Sequence, residues 1–530
     1  TLYTRYNAAG KKIDQLMQTV GATRLLNLTL GDDNNDLDQD FENWMYKIMQ
    51  LATDKYHPNP KSIGHEIVNT SGKDGGAEIG LEFETVPVTD DSLEADFNVP
   101  THLLNPSTSH FFNNTYCLVT KKQELCKPMP DARMITSTVH IEIDISPFDI
   151  TYMAGDSLVL IPENDPGIVS RVIEIMGFKP TDRFSIKGTV VDDVDYSLSD
   201  SSSMKYDREV FKEIIPTPCS VQDLLTKYLD INTTPRKSFL KTLIPFVSDL
   251  AQQEWLVQLL SKDSRDEYNG FYSLLFNELS SLKLTLSEMV HLLPYSQPRL
   301  YTIASSPLVH PRSVHVTVGL PTDLKKCGVG ARYINSFVAG TSKVNIMVKP
   351  SQFRLPPSID TPITMIGPGT GIAPMIGLLQ ERSHAKKTSA ANPDSPSTDE
   401  FECRGHTTLY VGCKYSAHDF IYSAEIEGSR SDGTLTHLHT AFSRDDPNSK
   451  VYVQTLLSQE TNARALIDQL EHGGFLYVCG ATAMGMSIMD EIVSMLMKYR
   501  PSEYPDKDSA YIYVRELQDD FRYIQEVYNA

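Results

Sequence analysis

Apolar and polar positions alternate at period two in three stretches between residues 106 and 165: TYCLVTKKQEL, STVHIEIDIS and DSLVLIP. Alternation sends successive side chains to opposite faces, so each stretch predicts a strand with one buried face. The pattern returns between 299 and 350 in LYTIAS, SVHVTVGL and KVNIMV. Between these regions, from 166 to 290, apolar residues recur every three or four positions, as in VSRVIEIMGF, SVQDLLTKYL and WLVQLLS. That spacing predicts helices. An all-helical insert, 166–290, is therefore expected to interrupt one β domain built from 106–165 and 291–355. From 356 to 530 the segments PITMIG, MIGLLQER, TTLYVGC, LTHLHTAF, FLYVCG and SIMDEIVSML alternate in period. This βαβ rhythm predicts a doubly wound parallel sheet.

The flanking segments are less regular. Residues 1–55 hold a helical pattern, AAGKKIDQLMQTVG, then a short strand, RLLNLTLG, then the acid-rich GDDNNDLDQDFENW leading into another helix. Asp36 or Asp38 is placed to cap that helix, and its acids suit the positive end of the dipole. These read as the last strand–helix pieces of an α/β domain. A polar stretch at 56–105 reads as a linker, and SHAKKTSAANPDSPSTDEFE, 383–402, as a flexible surface insertion.

A length of 530 residues calls for several domains. The net charge of −20 argues against a free nucleic-acid binder and favours basic partners. The seven cysteines form no CxxC pair and no zinc spacing, which suggests reduced thiols on the cytosolic side of a membrane or in the cytosol. No stretch has the ~20 apolar residues of a membrane span. The sequence starts at Thr1 and reads as a processed or truncated product, which leaves an upstream anchor open.

Candidate chemistry begins at RLYTIASSP, 299–307. Alternation puts Arg299 and Tyr301 on one face and Thr302 on the other, which is either an amphipathic edge strand or a site joining a cation, a ring and a hydroxyl. In PITMIGPGTGIAPMIGLLQER, Gly367, Gly369 and Gly371 separate a strand from a helix. Such a loop is either a tight turn or a place where backbone N–H groups meet a phosphate. AFSRDD ends a strand near Ser443 and Arg444, and KVYVQ reads as a strand with Lys450, Tyr452 and Gln454 on one face. Cations and hydroxyls suit the 2′-phosphate of NADP, whereas NAD needs an acid for its ribose. In FLYVCGATAMGM, Cys479 ends a parallel strand, where ligands bind, although a small packing residue fits the same pattern. KKCGVGARYINSF places Gly328, Val329, Gly330 and Ala331 at the start of a helix, a second place for a pyrophosphate.

In this order, RLYTIASSP, CGVGARY, MIGPGTGIAPMIGLLQER, LYVGCK, AFSR, KVYVQ, YVCG and a terminal aromatic resemble the ferredoxin–NADP reductase superfamily. The helical insert and YMAGDSLVLIPEND narrow the resemblance to the diflavin reductases, over essentially the whole chain. The resemblance implies an antiparallel FAD-binding β-barrel, a helical connecting insert, a C-terminal NADP-binding domain and an N-terminal remnant of a flavodoxin-like FMN domain. It implies that Arg299 pairs with the FAD pyrophosphate, Tyr301 stacks on the isoalloxazine, and Thr302 places a hydroxyl near the flavin N5. Thr317, Gly319 and the loop Gly328, Val329, Gly330 and Ala331 belong to the same FAD site, with Ala331 where the family has Ser or Thr. Thr370, Ser443, Arg444, Lys450, Tyr452 and Gln454 match NADPH-binding positions. Thr302, Cys479 and Glu526 surround the hydride path, with Glu526 in place of the family's aspartate. Tyr528 replaces a tryptophan that covers the flavin face opposite Tyr301. Tyr3 and Asp33 match FMN contacts, but the rest of the FMN site lies upstream, so FMN is not expected to bind this stretch stably. The implied activity is transfer of hydride from NADPH to FAD, then of electrons through FMN to a haemoprotein of the cytochrome P-450 type, at the cytosolic face of the endoplasmic reticulum. Sulfite reductase and methionine synthase acceptors remain alternatives, as does a non-catalytic interaction module, against which the intact motifs argue.

Overall fold

The computed structural model describes residues 8–24, 26, 28, 44, 47–48, 81–86, 94–99, 104, 106–129, 136–189, 215–260, 270–322, 328–390, 405–446 and 448–528. Its strands are β1 (Leu81–Val86), β2 (Tyr116–Glu124), β3 (Ser137–Asp144), β4 (Ser157–Leu160), β5 (Arg183–Thr189), β6 (Cys219–Ser220), β7 (Arg299–Thr302), β8 (Ser313–Leu320), β9 (Lys343–Lys349), β10 (Ile363–Ile366), β11 (Thr407–Cys413), β12 (His437–Phe442), β13 (Phe475–Ala481) and β14 (Tyr523–Tyr528). The chain divides into two compact units, the first formed by 1–94, 170–222 and 231–294, the second by 95–169, 223–230 and 295–530.

The first unit contains the helices Ala8–Thr19, Lys237–Leu243, Leu250–Leu260, Phe271–Asn277 and Leu286–Leu292. Leu243, Leu256, Leu274 and Met289 are fully buried, as their helical spacing predicts. Thr285 and Glu288 form a reciprocal capping box that starts the last of these helices. The insert is not all-helical. β5 and β6 fall inside it and join β1 in a three-stranded antiparallel sheet, β1-β5-β6. β1 in turn lies within the stretch read as a linker. Both LEFETV and RFSIKGT alternate in the strand manner, but each is short and surrounded by polar or helical sequence.

The second unit holds two larger sheets. The antiparallel sheet runs β7-β4-β9-β2-β3-β8, and a single bridge, Ile303 to Val316, links its first strand back to its last. Val139, Ile141 and Ile143 of β3 and Val314, Val316 and Val318 of β8 point into one core with Leu158, Val344 and Ile346. The parallel sheet runs β12-β11-β10-β13-β14. It is buried on both faces, Met365, Leu409 and Tyr477 on one and Ile366, Tyr410 and Val478 on the other, which explains its near-continuous apolar strands. The order reverses at β10, between β11 and β13, and that switch point is where such sheets place ligands.

The helix Ile372–Ala390 carries SHAKKTSA, the beginning of the stretch read as a flexible insertion, so that part is helical. RLLNLTLG, the acid-rich run, Tyr3 and Asp33 lie mostly or wholly outside the described residues.

Candidate active site

Arg299 and Tyr301 share one face of β7, and both lie against the backbone of Gly330. A Cβ on Gly330 would stand 3.1 Å from Arg299 Cγ and 3.5 Å from the Tyr301 hydroxyl. A bare glycine therefore keeps a cradle open beside the guanidinium and the ring. Arg299 reaches the carbonyl of Gln297 at 2.6 Å. Among the described residues no carboxylate lies within ion-pair distance of it, so its charge is available to an anion. Burial pushes the Tyr301 hydroxyl up to about 12 against the charge of Arg299, so the ring is neutral. Gly328 begins the helix Val329–Asn335 without a side-chain cap, and Gly330 in its first turn is the residue that lies against Arg299.

Thr302 continues β7 and leaves that face. Its hydroxyl donates to Glu526 Oε2 at 2.9 Å, and Ser351, just beyond β9, donates to Oε1. Register explains the fourth member: β13 pairs with β14 so that Cys479 stands beside Glu526 and Ala481 beside Tyr528. Burial pushes the Cys479 thiol up, the charge of Glu526 adds to this, and the Thr302 hydroxyl opposes it. Burial raises the Glu526 carboxyl above the ordinary range, against Ser351, Thr302 and the charge of Arg354. Two hydroxyls, a neutral thiol and a half-shielded carboxyl thus converge where the two sheets meet.

Ser351 is itself fixed. Asp156, just before β4, accepts its N–H at 3.0 Å and that of Met153 at 2.8 Å, and pairs with the guanidinium of Arg354. The Tyr477 hydroxyl donates to the carbonyl of Arg354 at 2.6 Å, tying this segment to the parallel sheet. Ser351, Asp156 and Arg354 went unnoticed in the sequence. SQFRLP carries no periodicity, and only the register of β9 against β4 brings it to Glu526.

The GPGTG loop follows β10. A Cβ on Gly371 would stand 2.1 Å from the carbonyl oxygen of Cys479, so only glycine lets the loop lie on the end of β13. Thr370 meets the Tyr528 hydroxyl at 2.6 Å, and its methyl lies 3.5 Å from where a Cβ on Gly319 would stand. Thr317 is buried, its hydroxyl 2.6 Å from that of Tyr422.

Ser443 and Arg444 follow β12, and their N–H groups bond to the carbonyls of Cys413 and Lys414. KVYVQ is not a strand. Lys450 and Val451 belong to no strand, Tyr452 is extended, and a helix, Val453–Leu457, starts at the next residue. Val453 and Leu457, four apart, bury in the core, and this helical spacing overrides the short alternation. Lys450 and Tyr452 are both exposed, but Gln454 sits in the first helical turn. Among the described residues neither Arg444 nor Lys450 has a carboxylate within ion-pair distance. β14 was not expected either, since YIQEVY mixes polar and apolar residues at an open sheet edge.

Comparison with known proteins finds two family models that match this chain. The FAD binding domain family matches residues 109–328, and the oxidoreductase NAD-binding domain family matches 365–490. The chain is 29% identical over 551 residues to the NADPH–cytochrome P450 reductase of Oryctolagus cuniculus, covering 99% of this chain and 74% of that protein. It is 28% identical to that of Bos taurus, with the same coverage. To that of Drosophila melanogaster it is 29% identical, covering 99% of this chain and 73% of that protein.

Proposed function

We propose that this chain, which belongs to the diflavin reductase family, acts as an NADPH-dependent flavoprotein reductase of the NADPH–cytochrome P450 reductase type. The observation that carries the reading is the convergence of Thr302, Ser351, Cys479 and Glu526 at the carboxyl ends of β13 and β14, beside the cradle of Arg299, Tyr301 and Gly330. The donor set fits FAD: a guanidinium with no carboxylate partner among the described residues and a helix start without a side-chain cap for a pyrophosphate, and a neutral ring for stacking. When bound, FAD supplies conversion of a two-electron hydride into single electrons.

The protein's part is to hold and orient. Thr302 and Ser351 fix both oxygens of Glu526, which aims a carboxylate at the place where a nicotinamide gains positive charge. Cys479 stays a neutral thiol and fills the floor of that place without adding charge. Thr370, Ser443, Arg444, Lys450 and Tyr452 lie at or beyond the carboxyl ends of the parallel strands and would hold the adenosine 2′-phosphate and the diphosphate of NADPH. Gln454 would reach the same group from the helix that follows. Tyr528 would lie over the ring face opposite Tyr301.

We also read the antiparallel sheet, linked back on itself by the Ile303–Val316 bridge, as a flavin-binding barrel, and the first unit as connecting elements joined to the end of a flavodoxin-like FMN unit. Among the described residues no helix is long and apolar enough to cross a membrane. A haemoprotein acceptor at the cytosolic face of the endoplasmic reticulum is the setting that the relatives' names suggest. The test is direct. Purified protein should carry a flavin absorption band that NADPH bleaches anaerobically and NADH bleaches far more slowly. Protein that retains no FAD, or bleaches equally with both, overturns the reading.

A further inference from the structure

Outside the site just described, one polar cluster stands out on the face of β3 and β8 that turns away from the barrel core. Register sets His140 opposite Thr317 and Glu142 opposite His315. The donor atoms of His140, Glu142 and His315 lie within 4.8 Å of one another, but Glu142 already holds Lys121 at 3.0 Å, as in a hydrogen-bonded seam and not an open ligand set. What the cluster does hold is a visitor from the other sheet. The Tyr422 hydroxyl reaches His140 Nδ1 at 2.8 Å and Thr317 Oγ1 at 2.6 Å.

Tyr422 follows β11 and begins the helix Ser423–Ser431, with its backbone at φ 56°. A bulky side chain rarely adopts this left-handed conformation, so its surroundings over-determine it. The ring packs in the same core as Cys479. The hydroxyl ends on β8, whose Val316 bridges Ile303, the residue after Thr302. One side chain therefore joins the sheet that carries Cys479 and Glu526 to the strand beside Thr302. A second tie runs alongside: His418, four residues earlier, accepts from the Thr136 N–H at 3.2 Å and bonds the carbonyl of Lys127.

We propose that Tyr422 is a positioning residue for hydride transfer: its hydroxyl pins the parallel sheet to β3 and β8 so that the Glu526–Cys479 pair meets Thr302 in register. The proposal rests on the reductase reading given above. It touches neither cofactor and acts only through Thr317 and His140. Misplacement of reacting groups by about 1 Å costs on the order of a hundredfold in rate, so a pin need move only slightly to matter.

Tyr422→Phe keeps the ring and removes the hydroxyl. Anaerobic stopped-flow mixing with NADPH should show flavin reduction slowed by roughly tenfold, within the range that misplacement allows. FAD content and the KM for NADPH should stay unchanged, and the isotope effect with NADPH deuterated at the transferred hydrogen should rise. Thr317→Val should slow the same step, and the double variant should be no slower than the slower single one, because both remove one interaction. An unchanged rate, additive losses, or slowing that tracks FAD loss overturns the proposal. Wild-type protein that holds FAD but is not reduced by NADPH would instead overturn the reading on which it rests.

Discussion

In the proposed reaction Glu526 is the residue on which the chemistry turns, because it is the one carboxyl among the four groups that converge. Burial raises its pKa, so in the folded chain it keeps its proton to higher pH than in the unfolded chain, where a glutamate titrates near about 4.3. Between those two values the folded chain binds more protons, so linkage makes stability fall as pH rises through the window. The ionised form is the one that stabilises a nicotinamide losing hydride, so the rate of flavin reduction should rise through that same window. Glu526→Gln removes both dependences. It should slow reduction by about 10²-fold, the lower end of what a positioned acid or base supplies, leave FAD content intact and flatten the pH profile of the rate. Stopped-flow reduction across pH in both proteins checks this, and a Gln variant with wild-type rate and slope would remove Glu526 from the site.

At the scale of elements, the proposed function makes the two turns that end β10 and β12 the determinants of coenzyme use. In the first, Gly371 lies so close to the backbone of Cys479 that a methyl group has no room, and the obstacle is a carbonyl that cannot swing aside. Gly371→Ala should therefore abolish reduction by NADPH while FAD stays bound, as absorbance spectra and single-turnover reduction would show. In the second, Arg444 and Lys450 offer two cations without carboxylate partners among the described residues. Charge-assisted contacts are worth about 1.5–3 kcal/mol each. Arg444→Ala with Lys450→Ala should raise the KM for NADPH at least tenfold, given ~1.4 kcal/mol per decade, and barely change that for NADH. Equal losses with both coenzymes would show that these side chains do not read the 2′-phosphate. These elements also mark how far a sequence can be read. Apart from β14, the strands of both large sheets followed from their periods, because one or both faces are buried and the pattern reports burial. The meeting of Thr302, Cys479 and Glu526 was reached only through resemblance, since they are up to 224 residues apart. Ser351, Asp156 and Tyr422 escaped altogether. Their roles depend on strand register and on a left-handed backbone, and neither leaves a periodic trace. The short helix at Val453–Leu457 was misread because five residues cannot separate the two periods.

The whole molecule consists of two units, and every residue assigned above to FAD or NADPH lies in the second. This division has a thermodynamic consequence. A ligand that binds only the folded form of one unit stabilises that unit alone, by RT ln(1 + [L]/Kd), or about 2.7 kcal/mol at a hundred times Kd. With an unfolding entropy of about 2.1 cal/mol/K per residue, one kcal/mol moves the midpoint of a unit as large as the second by roughly 1.5 °C. The second unit should therefore melt about 4 °C higher in excess FAD, and higher again when NADP⁺ is added. The first unit, with its helices and the small β1-β5-β6 sheet, has its own buried core and should keep its midpoint. Differential scanning calorimetry of the flavin-depleted chain, with and without FAD, separates the cases. Two endotherms of which FAD moves only one agree with the assignment. A single endotherm that moves as a whole would show that the units melt as one cooperative body. An endotherm that FAD leaves in place would remove the flavin from the cradle of Arg299, Tyr301 and Gly330.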